Sequence, residues 1–276
     1  LTQADIDKQY LDLYADVNLD WTGGAKREVS LRVIASDGTS VESDQVETIR
    51  FVDGSTINPP PVLETLSGVA VDGYIGGARV FEDLDGDLVW DEGEVYDFTD
   101  QNGVFELSGI SGGHQVVSEG GMDTTTDVAM GTLWAPAGFE VVSPLTTLVA
   151  EGADLSGIVP EGIDLATFDP QAAFEEGLDG GAELLALGQQ ALGLLNAAAG
   201  LVSGSKDMDA GEAFNTVVQD LATRDLADAI ADPFSLLQSV TAGTSLTDTE
   251  IGAASSAISS VISQITPASV VSGDNI

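Results

Sequence analysis

The residues with the clearest chemical meaning lie in one stretch, Asp83-Leu84-Asp85-Gly86-Asp87-Leu88-Val89-Trp90-Asp91-Glu92-Gly93-Glu94. A twelve-residue loop that wraps calcium supplies oxygens from positions 1, 3, 5, 7, 9 and 12. Counted from Asp83, these are Asp83, Asp85, Asp87, the backbone carbonyl of Val89, Asp91 and Glu94. Calcium is a hard cation that takes six to eight oxygens, and a bidentate Glu94 would complete its shell. Every side chain in the set is a carboxylate, and such groups repel at short range unless a cation lies between them. Position 6, where the turn normally calls for glycine, is Leu88, while glycine stands at Gly86. The flanking residues read as strands. The expectation is a Ca2+ loop that clamps strands together, with a turn geometry of its own.

Other groups that could carry chemistry are weaker. Asp97 and Asp100 either add ligands to the same ion or cap turns. Asp123 and Asp127 bracket a threonine-rich stretch and read as a surface turn before a second ion site. Asp207 and Asp209 precede Gly211-Glu212 and read as helix caps. His114 is the only histidine, so a Ser-His-Asp triad would have to use it. It sits in the loop Ser111-Gly112-Gly113-His114, which lacks a nucleophile elbow. Carboxylates that could pair for glycoside hydrolysis are abundant, but aromatic residues make up only 6% of the chain and offer few platforms for a sugar. Neither a P-loop nor a dinucleotide fingerprint occurs. The chain therefore reads as a non-enzyme, with a secreted hydrolase as the least favoured alternative.

Composition sets the surroundings in which such a loop would work. The chain has 276 residues, with 46 Asp plus Glu against 8 Lys plus Arg, for a formal net charge of -38. That field repels nucleic-acid phosphates and anionic lipid, attracts cations, and strains the compact state unless cations or salt are present. No nucleic-acid partner is expected. Cysteine is absent, so disulfides and thiolate metal sites are excluded. Calcium can take the place of a disulfide as a cross-link, and a secreted or cell-surface location is expected. No basic, apolar signal peptide opens the sequence, so either it was removed or the chain is a piece of a longer one. The most apolar run, Leu184 to Val202, is interrupted by Gln189, Gln190 and Asn196 and reads as a buried core helix, not a membrane span.

The elements that must position the loop follow from periodicity. Hydrophobic content of 43% supports a sizeable core. Residues 1–55 alternate apolar and polar, as in Leu11, Leu13, Val17, Leu19 and Trp21, and predict part of an Ig- or cadherin-like β domain with three or four strands. Residues 56–64 hold Asn58-Pro59-Pro60-Pro61, a semi-rigid linker. Residues 65–142 form a second β domain: Ala78 to Phe81 leads into the acidic loop, Val95 to Phe98 leads out, Asp100 to Gly103 turns, and Val104 to Leu107 is the next strand. At 143 the period becomes helical, and residues 143–268 predict an α-helical domain followed by a tail, 269–276. Ser143-Pro144, Asp169-Pro170 and Asp232-Pro233 are start signals. Asp209 with Glu212, and Thr247 with Glu250, fit capping boxes or close variants. Three apolar faces follow: Leu184, Leu185, Ala191, Leu192, Leu195 and Ala199; Phe214, Val217, Val218 and Leu221; and Ile251, Ala254, Ile258, Val261, Ile262 and Ile265. The fold class expected is α+β, with β-sandwich-like segments first and a helical bundle last.

Some of these residues resemble known modules. Ser67-Gly68-Val69-Ala70-Val71-Asp72-Gly73-Tyr74-Ile75-Gly76-Gly77-Ala78, with the acidic loop and Thr99-Asp100-Gln101-Asn102-Gly103, resembles the calcium-binding B-type repeats of large bacterial surface adhesins. Leu133-Trp134-Ala135-Pro136-Ala137-Gly138, Val142-Ser143-Pro144-Leu145-Thr146-Thr147-Leu148, Gly162-Ile163-Asp164-Leu165 and Phe168-Asp169-Pro170 resemble a module of giant marine adhesins of the RTX type. Val33-Ile34-Ala35-Ser36-Asp37-Gly38 is similar to the end of a cadherin-like extender repeat. The resemblance implies a modular extracellular protein, stiffened by calcium, that joins a cell to a surface or another cell. Its expected partners are neighbouring modules or identical subunits, with a cell-surface or carbohydrate target. The alternative is a subunit of an extracellular filament, sheath or surface layer, its incomplete first sandwich completed by a neighbour's strand.

Overall fold

The computed structural model describes residues 64–272. The expected Ig-like strands of residues 1–55 and nearly all of the proline linker lie outside the described residues. What is described is α+β: small sheets first, helices after.

Strands in this chain bury both faces where the sequence runs apolar without a break. The strands are β1 (Glu64–Ala70), β2 (Ile75–Gly76), β3 (Arg79–Asp83), β4 (Tyr96–Phe98), β5 (Val104–Ile110), β6 (Gln115–Glu119), β7 (Met122–Asp123), β8 (Val128–Ala129), β9 (Thr132–Ala135) and β10 (Val141–Val142). They form sheets in the orders β10-β1-β5, β2-β7-β8 and β4-β3-β6-β9. Only the β1–β10 pairing is parallel. Successive side chains of a strand point to opposite faces. On the four-stranded sheet, Val80, Val116, Leu133 and Ala135 therefore share a core with Leu66, Ala70, Phe105 and Leu107 of the three-stranded sheet. Their neighbours Phe81, Val117 and Trp134 enter a different core, with the helices.

Eight helices follow among the described residues: α1 (Pro144–Ala150), α2 (Pro170–Glu175), α3 (Gly181–Lys206), α4 (Ala210–Ala222), α5 (Leu226–Ala231), α6 (Phe234–Val240), α7 (Asp248–Ile262) and α8 (Pro267–Ser272). Their starts follow local chemistry. Ser143 caps α1 in a reciprocal box with Thr146. Asp169 caps α2 ahead of Pro170, and Thr247 with Glu250 forms the box of α7. Two starts differ from the expectation. Asp232 ends α5 and accepts the Phe234 N–H at 3.1 Å, but α6 begins at Phe234 with Pro233 as its cap residue, one position later than expected. Asp209 caps α4 through the Gly211 N–H at 2.8 Å, and its partner Glu212 closes no box.

Helix α3 is the axis of the helical part. It is long and apolar enough to cross a membrane, but Leu184, Ala191, Leu194, Leu195, Ala198 and Val202 are buried against other elements of this fold. The apolar face of α4 adds Val217, Val218 and Leu221 to the same core. The third expected face divides: Ile251 and Ile262 are buried, whereas Val261 is half exposed. The boundary expected at 142/143 is a change of secondary structure. One core runs across it, from Phe81 and Trp134 on the sheet to Leu148 and Leu195 on the helices.

One hydroxyl ties this junction at the backbone, and the Trp134 indole N–H ties it again by donating to Glu151 at 3.2 Å. β9 is the edge of its sheet, and an edge leaves backbone groups without strand partners. Thr147 of α1 meets this need: its Oγ1 accepts the Trp134 N–H at 3.0 Å and lies 3.0 Å from the Trp134 carbonyl. Thr147 is fully buried, so no water can substitute. Thr147→Val keeps the shape and removes these bonds. It should cost about 1–3 kcal/mol, the penalty for an unsatisfied buried N–H. Chemical denaturation would check this, and an unchanged midpoint would refute it.

Candidate metal site

The acidic loop begins at the end of β3 and ends just before β4, so the antiparallel β3–β4 pair holds its two ends together. Phe81 pairs with Tyr96, and the Glu82 N–H donates to the Val95 carbonyl at 3.1 Å. Within the loop, carboxylates organise the backbone. Asp83 accepts the Gly86 N–H at 2.8 Å and the Leu88 N–H at 3.0 Å. Asp87 accepts the Val89 N–H at 2.8 Å. Glu94 closes the ring, accepting the Leu84 N–H on Oε1 at 2.8 Å and the Asp91 N–H on Oε2 at 2.9 Å. Asp83 and Glu94 are buried, while Asp85, Asp87, Val89 and Asp91 are exposed.

Asp83, Asp85 and Asp87 each present an oxygen, and these oxygens lie within 4.8 Å of one another. Two oxygens on opposite sides of one calcium, each at about 2.4 Å, stand about 4.8 Å apart. The three aspartates could therefore hold a single metal ion. Asp91 and Glu94 are not part of that cluster of three. Glu94 nevertheless stands across the loop from Asp83, and each of its oxygens keeps a lone pair beyond its N–H bond.

Leu88 resolves the missing glycine. It adopts φ 64°, the left-handed conformation that the sixth position of such a loop requires. A leucine there costs roughly 1–2 kcal/mol relative to glycine. Its compensation is packing: Leu88 and Trp90 rest against the core that the helices share with Phe81 and Val117. Trp90 is held further by Arg79, whose guanidinium lies 4.7 Å from the ring centroid, and by an edge contact with Tyr96. The loop is thereby seated on the helical part as well as on the sheet.

The other acids serve the backbone. Asp97 accepts the Phe98 and Glu106 N–H groups, and Asp100 accepts those of Asn102 and Val104, so both are turn and strand-end caps. Asp123 accepts the Thr125 N–H at 2.8 Å and the Thr126 hydroxyl at 2.6 Å, and Asp127 takes a positive φ in the same turn. Asp207 ends α3 in the left-handed conformation. His114 meets Ser111 at 3.0 Å and Glu82 at 3.3 Å, both through Nδ1. A catalytic relay engages the two ring nitrogens separately, and this arrangement engages one. Burial pushes the Glu82 carboxyl up, but hydrogen bonds from Ser111, His114 and Gly112 outweigh it and hold the group below its ordinary range. Glu82 is thus a pin for the β5–β6 turn.

Asp72, like Glu82, is a buried carboxylate that residue type and spacing did not mark. Asp72 follows β1 in a turn that an Asp-Gly pair would announce only as a turn. It is 9% exposed, and no hydrogen bond or ion pair reaches its side chain. Burial, and then the neighbouring Asp123, raise its pKa well above the ordinary aspartate value. Tyr74, which donates to Asp169 at 3.4 Å, is pushed up to about 12 by burial and by Asp169 and Glu175.

No family model, curated protein or solved structure matches the chain.

Two expectations follow. At most positions glycine is a worse replacement for leucine than alanine is. At position 88 the order should invert: Leu88→Ala keeps the positive φ and loses the packing, while Leu88→Gly loses only the packing. Thermal melts should place Leu88→Ala about 1 kcal/mol below Leu88→Gly, and the ordinary order would refute the assigned backbone. Asp72→Asn should stabilise the fold at pH 7. Between the unfolded pKa near 3.8 and the raised folded one, the native state binds the extra proton, so its stability falls as pH rises through this window. The gain from Asp72→Asn should shrink toward pH 4, which melts at both pH values would show.

Proposed function

We propose that this chain is a calcium-stabilised structural and adhesive module of an extracellular bacterial surface protein, akin to the B-type calcium repeats and helical module of RTX-type adhesins. The observation that carries this reading is the double role of one loop. The residues that converge Asp83, Asp85 and Asp87 also send Leu88 and Trp90 onto the helical core. An ion bound there would remove the repulsion among the aspartates and fix the loop that joins sheet to helices. Calcium suits the donor set, which is all oxygen and all carboxylate in its side chains. The net charge of -38 and the absence of cysteine fit a calcium-rich exterior where ions do the work of disulfides. A sandwich reading of the β part is supported by the core shared between the three- and four-stranded sheets.

The alternatives draw less support. Assembly by strand complementation rests on the incomplete sandwich of residues 1–55, which lie outside the described residues. A hydrolase would need two converging carboxyl groups in a cleft, and Asp72 with Asp123 both line one. Asp123, however, is committed to its own turn, and neither Trp nor Tyr lines the cleft to stack a sugar.

Thermal melts with calcium and with a chelator test the reading. Calcium at one hundred times its Kd should add about 2.7 kcal/mol of stability. The double variant Asp85→Asn, Asp87→Asn should lose that increment, and at low salt it should be at least as stable as the unmodified chain in chelator, because it carries less repulsion. Both positions are exposed, so the fold should survive. A melting temperature indifferent to the chelator would eliminate the structural role of the ion.

A further inference from the structure

A cleft of about 1230 Å³ opens between the β part and helices α3, α4, α7 and α8. Its apolar wall includes Leu88, Leu192, Phe214, Ile258, Val261 and Ile262. Its charged lining is Asp72, Asp87, Asp123, Asp209 and Glu212, with no Lys, Arg or His. Four of these acids are accounted for: Asp87 and Asp123 accept backbone N–H groups of their own turns, Asp209 caps α4, and Glu212 is exposed at the rim. Asp72 is the exception. It is more than nine-tenths buried, it has no hydrogen-bond or ion-pair partner, and its Oδ1 lies 3.7 Å from where a Cβ on Gly188 of α3 would stand. Its carboxylate reaches the open cleft, where a donor entering from outside could pair with it.

We propose that this cleft receives a basic, apolar segment of a partner polypeptide, whose lysine or arginine head pairs with Asp72 beside Asp123 while its apolar residues lie along α3, α4 and α7. The dimensions favour a polypeptide over a small cation. Small-molecule sites run to roughly 1,000 Å³, and this cleft is larger. A metal ion would want six to eight oxygens, whereas much of the cleft wall is apolar. Charge complementarity supplies the selectivity: an acidic or phosphorylated segment would meet five carboxylates, and a neutral one would leave Asp72 unpaired. The strongly negative chain would also steer a basic partner toward it. The proposal requires no ion in the acidic loop, although Asp87 and Leu88 of that loop line one side of the cleft.

The test uses the full chain in saturating calcium at physiological salt, with a short labelled peptide alternating leucine and lysine, read by fluorescence anisotropy. Peptides alternating leucine with glutamine, and serine with lysine, serve as controls. Three variants accompany it: Asp72→Asn; Val261→Trp, which narrows the cleft at a half-exposed site; and Asp207→Asn, which makes the same charge change outside the cleft. Circular dichroism confirms that each is folded. The expected result is saturable binding of the leucine–lysine peptide alone, weakened at least about tenfold by Asp72→Asn and by Val261→Trp and unchanged in Asp207→Asn. Equal losses in Asp72→Asn and Asp207→Asn would reduce the effect to general attraction by the chain's charge and overturn the proposal. Equally tight binding of the serine–lysine peptide would do the same. A calcium titration in which Asp72→Asn lost one bound ion would reassign the site to a metal. Hydrolysis of aryl glycosides by the unmodified chain but not by Asp72→Asn would reassign the pair to catalysis.

Discussion

Negative charge with almost no positive charge to balance it is the constraint under which this fold is built. Among the described residues the basic side chains are Arg79, Lys206 and Arg224. Arg79 pairs with Glu119 and Arg224 with Asp220, and ion pairing goes little further. Many of the remaining carboxylates bind the backbone. Asp83, Asp87, Glu94, Asp97, Asp100 and Asp123 accept N–H groups in the β part, and Asp169, Asp209, Asp225 and Asp232 do so where helices begin. An N–H dipole is a weak positive charge, but it is fixed in place and needs no lysine. The chain thus folds around its acids instead of merely tolerating them on its surface.

The acidic loop is where this economy reaches its limit. Three aspartates share one small volume, and N–H groups of the loop reach only Asp83 and Asp87 among them. A cation is the remaining remedy. The loop's placement gives that remedy consequence, because its Leu88 and Trp90 pack against the core between sheet and helices. Strands β3, β6 and β9 send alternate side chains into two cores, so a shift of the loop would be felt on both faces of the central sheet.

Much of the local structure was legible in the residues. Strand ends at Phe98 and Val104, the turn at Asp100 to Gly103, and the starts of α1, α2 and α7 are all set by interactions that span a few residues: Asx turns, capping boxes, and prolines that fix φ. The spacing of Asp83, Asp85 and Asp87 belongs to the same class, because alternate residues of a tight loop are brought together by the loop alone. Leu88 marks where local reasoning stopped. Its type argued against a left-handed turn, yet the residue takes φ 64° there with its side chain packed against a core built from sheet and helices.

The sequence by itself determined the α+β class, the change of period at 143, most of the capping chemistry and the acidic loop as a candidate place for a metal. Only the tertiary structure decided that the β and helical stretches share one core, that Thr147 completes the edge of β9, and that Asp72 lies buried and unpartnered beside a cleft. The physical reason is range. Caps, turns and ligand spacing are fixed by bonds between residues near in the chain, and their residue types announce them. Burial of a carboxylate and the partners of a strand edge depend on segments many tens of residues away, whose approach is set by how apolar faces fill space, and no short window of sequence records that.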